Sequence, residues 1–250
     1  MKRICFPVLM LTALSCCSPV EERPSVGDAP AIEGRAEAEH NGKEKDIAAL
    51  YSLEPATEAE FDKAATNYTV SFMMGRDDAR KVNGTISLKI NGEWKLIETL
   101  KDTLFNTDDT EMAAYTYLGQ NKELNKYLVA GRFYEHHENY LIDKITGEIA
   151  ATTWSEPAVS PDLSFLANVS LATTMDLTPN GIQVWKVTKN GTTTAIEKYF
   201  EINQQEWEAF EMQWESPRSI IIKIIAMKEY EMLKGEPKQE DFIYHRLKIK

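Results

Sequence analysis

The hydrophobic pattern changes period once along this chain. "EKDIAALYSL" and "TEAEFDKAAT" carry apolar residues at helical spacing, and the second opens on Thr57 and Glu60 in the order of a capping box. Both predict short helices ahead of the main body. From "NYTVSFMM" onward the period is two. Ile86, Leu88 and Ile90 alternate with Ser87 and Lys89, as on a strand with one buried face. Asn91-Gly92 then separates "NGTISLKI" from "EWKLIETL", and both turn residues tolerate positive φ, which is a hairpin signal.

The pattern repeats. "EMAAYTYLG", "KYLVAGRFYE", "NYLIDKITG" and "EIAATTW" form a second cassette. "AVSPD", "SFLANVS", "GIQVWKVT" and "TTAIEKYF" form a third, and "EAFEMQWESP", "SIIIKIIAM" and "DFIYHRLKIK" a fourth. The second run of a cassette is continuously apolar (Tyr127–Ala130, Phe165–Ala167, Ile220–Ile222), as a strand covered on both faces would be. The turn after the third run falls at Asn91, Thr146 and Asn190, a spacing suited to a repeated four-stranded blade. The expected fold is all-β: a propeller-like antiparallel meander of about four blade-like sheets behind short N-terminal helices. A plain antiparallel sandwich is the rival. The first cassette lacks an opening strand and the last a closing one.

In the third cassette, Ser160, Pro161, Asp162, Leu166, Ala167, Gly181, Ile182 and Gly191 resemble the repeat of TolB-type β-propellers. Leu163 stands where that repeat has a turn glycine, and Lys186 where it often has an acid. Ser216-Pro217 repeats the turn in part, with Arg218 in place of the acid. The resemblance implies a blade and leaves function open, since such propellers host both binding and catalysis.

The N-terminus carries a different message. "MKRICFPVLMLTALSC" has two cations (Lys2, Arg3), an apolar run from Ile4 to Leu14, and Ser15 before Cys16. The run is too short for a permanent span and suits a signal peptide over residues 1–15. "TALSC" resembles the lipobox of bacterial lipoproteins, which implies acylation of Cys16 and a membrane-held protein of the cell envelope. Cys17 is the competing acylation candidate. Residues 17–46 hold eight acids, four bases and no aromatic residue, too little apolar surface to offset ordering, so 16–46 is expected to be an acidic tether and 47–250 the β-rich domain.

Charge and chemistry narrow function only by exclusion. The formal net charge is −11, without a basic cluster, which disfavours nucleic acid. All three cysteines, Cys5, Cys16 and Cys17, lie at the N-terminus, so the domain has no thiol chemistry. Nucleophile-elbow, Walker and zincin motifs are absent. His136 and His137 in "YEHHENY", with Glu135 or Glu138, and the carboxylates of Asn106–Glu111 are the spots where a metal is conceivable. Solvated turns explain both, so neither a metal nor a cofactor is expected. Trp154, Trp185 and Trp214 are the candidate ligand or partner residues, set against interblade packing. Asn67, Asn83, Asn168 and Asn190 head N-x-S/T triplets, read here as turn and strand chemistry. The expected role is non-enzymatic binding or scaffolding with a protein or small-ligand partner in the envelope. The alternatives are an envelope hydrolase with convergent carboxylates, or an inhibitor or immunity protein against a periplasmic toxin.

Overall fold

The computed structural model describes residues 47–67, 71–75, 77–103, 110–171 and 179–250. The signal peptide, Cys16, the tether and most of Asn106–Glu111 lie outside them. The described chain is predominantly β, folded as four antiparallel sheets of three or four strands. It begins with β1 (Tyr51–Ala56) and α1 (Glu58–Ala65). The first sheet follows, with β2 (Ala79–Val82), β3 (Thr85–Ile90) and β4 (Glu93–Lys101). The second holds β5 (Ala113–Asn121), β6 (Lys126–Phe133), β7 (His137–Asp143) and β8 (Ile149–Thr153). The third holds β9 (Ala158–Val159), β10 (Phe165–Ser170), β11 (Gly181–Asn190) and β12 (Thr193–Asn203). The fourth is built from β13 (Trp207–Ser216), β14 (Ser219–Ala226) and β15 (Ile243–Ile249), with the short α2 (Met227–Tyr230) between the last two.

The fourth sheet is completed from the other end of the chain. Its order is β1-β15-β14-β13, with β1 antiparallel to β15 from Tyr51↔Ile249 to Ala56↔Tyr244. This corrects the first of the two expected helices. Only Ile47–Ala49 form a helical turn, a 3-10 one, and "YSLEPA" is a strand. A full ladder of backbone hydrogen bonds to β15 outweighs a weak local helical preference. Pro55 is tolerated because β1 is an edge strand. The second expected helix is present as α1. The Thr57 hydroxyl accepts from the Glu60 N–H at 3.3 Å, and a Glu60 carboxylate oxygen accepts from the Thr57 N–H at 2.8 Å. In "NYTVSFMM" the described residues form no strand; Met73 makes a single bridge to Gln120. The first strand of that sheet is "ARKV" instead.

Strand alternation assigns the cores. In β6, Tyr127 and Val129 join the core between the first and second sheets, and Leu128 points the other way into the core shared with the third. In β10, Leu166 enters that same second–third core, while Phe165 and Ala167 enter the core between the third and fourth sheets. In β14, Ile220, Ile222 and Ile224 also face the third sheet; Ile221 packs on the far side against Phe61 and Ala64 of α1. The continuously apolar runs are therefore strands buried on both faces. The sheets pack in chain order, and among the described residues no shared core joins the first sheet to the fourth. No helix of the described residues is long and apolar enough to cross a membrane.

The turns explain the punctuation. Asn91 and Gly92 both have positive φ (50° and 85°), and so do Asn83 and Gly84 (48° and 80°), as a tight hairpin with native twist requires. The Ser160-Pro161-Asp162 turn joins β9 to β10. Asp162 Oδ1 accepts from the Ser160 hydroxyl (2.9 Å), the Ser164 N–H (3.0 Å) and the Ser164 hydroxyl (2.6 Å). Burial alone would raise Asp162, but these donors hold it below the usual carboxylate range. Leu163 has φ 64°, so a leucine occupies a left-handed position that normally calls for glycine. Leu163→Gly is expected to be more stable than Leu163→Ala by about 1 kcal/mol in urea unfolding, reversing the usual order of these two residues. Both remove the leucine's packing, and only alanine keeps the strain. The ordinary order would mean that Leu163 is not strained.

Candidate functional site

The second and third sheets share an apolar core at one end and part at the other. On the second sheet's face, Leu128, Leu141 and Ala151 form a cross-strand row inside that core. Two residues along, the row is Thr116, Ala130, Asn139 and Thr153. Two further along it is Ala114, Arg132 and His137, with Arg132 and His137 exposed. The face thus turns from aliphatic to polar as it emerges into solvent, and a cleft of about 670 Å³ opens over it.

The β6–β7 hairpin forms the rim of the cleft. The Phe133 N–H donates to the His136 carbonyl at 2.9 Å. The two rings stack at 4.5 Å with 10° between their planes. Tyr134 beside them is exposed. Gly131 lies under the cleft because three rings approach it from below. A Cβ there would sit 2.8 Å from Tyr140, 3.1 Å from Phe133 and 3.2 Å from Tyr115. Only glycine lets these rings close against the strand.

Glu138 is the one carboxylate lining the cleft among the described residues. Its Oε2 accepts from the Tyr140 hydroxyl at 2.8 Å, and its Oε1 lies 3.9 Å from His136 Nε2. Burial, and then the hydrogen bond to Glu138, push the Tyr140 phenol well above its ordinary value, so it holds its proton. His137 pairs with Arg132 across the strands, whereas His136 turns back onto Phe133. The described residues contain no group of three histidine, cysteine or acidic side chains able to hold a metal.

The tryptophans do not form one surface. Trp214 is 1% exposed in the third–fourth core and donates from Nε1 to the Ala158 carbonyl at 3.2 Å. Trp185 is 7% exposed in the second–third core. Trp154 is half-buried in the chain leaving β8, and its N–H donates to Gln183 at 3.1 Å. Packing accounts for Trp185 and Trp214.

A second cleft of about 610 Å³ lies by the Ser160 turn, lined by Met73, Met74, Pro161, Leu163 and Gln120. Met73 and Met74 are 72% and 67% exposed there. Near it, between the first and second sheets, Gln120 links Asp78 to Lys144. It donates to Asp78 at 2.8 Å and accepts from the Lys144 ammonium. Gln120, then the Lys89 cation, lower Asp78 despite its partial burial, and burial lowers Lys144. These groups satisfy one another and read as structure.

Sequence patterns pointed to the histidine hairpin but not to Arg132, Thr116 or Asn139. Those lie on ordinary strands, and only the register brings them together. Comparison with protein-family models, curated proteins and solved structures gives no match to this chain.

Proposed function

We propose that this protein is a lipid-anchored, non-enzymatic binding module of the bacterial cell envelope. Cys16 carries the lipid, residues 17–46 are the tether, and the cleft on the second sheet is the ligand site. The lipobox-like "TALSC" supports the anchor. The succession of sheets in chain order, each facing the next, supports a blade-like, incompletely ringed propeller. One observation carries the binding role: the only carboxylate lining the cleft among the described residues already accepts a hydrogen bond from Tyr140. Glycoside hydrolysis ordinarily needs two carboxyl groups about 5–10 Å apart across the scissile bond, and this lining offers one.

Cys16→Ala is expected to move the protein from the membrane to the soluble fraction and to abolish incorporation of labelled palmitate. Retained labelling would refute the anchor. For the binding half, solubilised envelope material is expected to raise the melting temperature of the purified protein, and Arg132→Ala to cancel the rise. If no envelope fraction stabilises the protein, the binding role fails.

A further inference from the structure

The third sheet contributes a wall that the cleft's lining leaves out. Asn168, in the middle of β10, is 1% exposed, and both its amide nitrogen and its amide oxygen lack a hydrogen-bond partner. A buried amide with neither group satisfied is costly, and a native structure that keeps one calls for an explanation. Alternation along β10 places Asn168 on the same face as Leu166, which packs in the second–third core. Its cross-strand partner is Gln183, and Leu166 is paired with Trp185, whose buried Nε1 also has no partner. One face of the third sheet therefore presents two unused donors and one unused acceptor toward the second sheet.

The level along the strands matches the cleft. Leu166 shares its core with Leu128, Leu141 and Ala151, and Asn168 lies two residues further along its strand, as Ala130 does from Leu128. The chain leaving β8 crosses to the third sheet at this level. The Trp154 N–H donates to Gln183, and the Ser155 hydroxyl donates to the Val169 carbonyl at 2.6 Å. The polar end of the space between the two sheets thus runs from the Phe133–His136 ring pair at the mouth, past Arg132 and Asn139, toward Asn168.

Resting on the binding role above, we propose that the ligand is a neutral oligosaccharide, with Asn168 the deep hydrogen-bonding group and the Phe133–His136 pair the rim against which a sugar ring lies. Hydroxyl groups both donate and accept, so one class of ligand satisfies the amide nitrogen, the amide oxygen and the indole N–H together. Charge argues the same way. The lining has one engaged carboxylate, one arginine and two histidines, neither a cation cluster to select an anion nor an acid cluster to select a metal. The apolar C–H face of a sugar suits an aromatic rim.

The full chain in detergent is titrated with delipidated polysaccharide from the envelope of the producing cells, either untreated, oxidised with periodate, or digested with protease. Untreated and protease-digested material is expected to raise the melting temperature, and periodate-oxidised material is not. Asn168→Leu is similar in volume and removes two unsatisfied atoms. It is expected to leave the free protein's melting temperature unchanged or higher and to weaken binding at least 10-fold. His136→Ala, at the exposed rim, is expected to weaken binding several-fold and provides a second variant should Asn168→Leu fail to fold. Stabilisation that survives periodate and is lost to protease would overturn the oligosaccharide and keep the binding role. Stabilisation by no fraction would overturn both. If Asn168→Leu raises the melting temperature with full binding retained, the amide is hydrated rather than ligand-facing, and the proposal is overturned.

Discussion

Lys126→Ala is expected to cost about 3–5 kcal/mol, the range for breaking a buried ion pair by removing one partner. That corresponds to a fall in melting temperature of roughly 10 °C at about 2–4 °C per kcal/mol for a domain of this size. The Lys126 side chain is 0% exposed. Its ammonium donates to Asp143 Oδ2 at 2.7 Å and to the Thr194 carbonyl at 2.7 Å. The first bond stays within the second sheet and the second reaches β12, so one charge ties two sheets together. Burial alone would raise Asp143, but Lys126 and the N–H groups of Thr146 and Ile145 hold it below its ordinary value. Without the lysine, a mostly buried carboxylate and a carbonyl lose their partner. The double variant Lys126→Met, Asp143→Asn removes both charges and is expected to recover more than half of the loss in a double-mutant cycle. A single-variant cost below about 1 kcal/mol in urea unfolding would show that the pair is dispensable.

The other large effect is expected at Arg246, on β15. Its guanidinium donates to both oxygens of Glu215 (2.8 and 2.9 Å), to Glu60 of α1 at 2.7 Å and to Glu54 of β1 at 3.2 Å. Four elements meet on one planar fork, a geometry that lysine cannot reproduce. Arg246→Ala is expected to cost about 2 kcal/mol, below the buried-pair range because Glu60 and Glu54 are 43% and 40% exposed and screened by solvent. Hydrogen exchange should report the loss first in β1. The pH dependence has a definite sign. Glu215 is lowered first by Arg246, Glu54 first by Lys248 and then by Arg246, and Glu60 to about 2 by Arg246 and its Thr57 cap. Carboxylates depressed in the folded state stabilise it fully above their unfolded value of 4.5, and that stability is lost as pH falls toward about 2. In Arg246→Ala the urea midpoint should fall less steeply across this window. An unchanged slope would mean that the acid sensitivity arises elsewhere, for instance at Asp143.

What the sequence disclosed follows from the range of each interaction. The Asn91-Gly92 hairpin, the Thr57–Glu60 cap and the doubly buried runs of β6, β10 and β14 depend on neighbours a few residues away, and all three could be read directly. The strand at Tyr51–Ala56 could not, because its partner lies about 200 residues further on, and locally it looks helical. Nor could "ARKV" be read as the opening strand of the first sheet, since so short and charged a run carries no clear period. At the candidate site, the histidine pair drew notice as an unusual doublet, and Trp185 and Trp214 as large aromatics. The doublet does line the cleft, whereas the two tryptophans are packing. Asn168 left one faint trace, a polar residue inside the apolar run "SFLANVS", which resembled a glycosylation triplet more than a binding group. Lys126 left none beyond standing at the head of a buried strand.

The pairing of β1 with β15 also sets the order in which the protein can become complete. Synthesis and export deliver the N-terminus first, so β1 stays without its partner until the last residues of the chain have emerged. The second and third sheets each assemble from a contiguous stretch of chain, but the fourth must close a loop spanning nearly the whole domain. Contacts of such long sequence separation form late and slow the overall reaction. A chain truncated by even one strand at its C-terminus would leave β1 and the Arg246 carboxylates unpaired together, an unfinished edge for quality-control proteases to recognise. Completion of the domain is thus a signal that translation has reached its end.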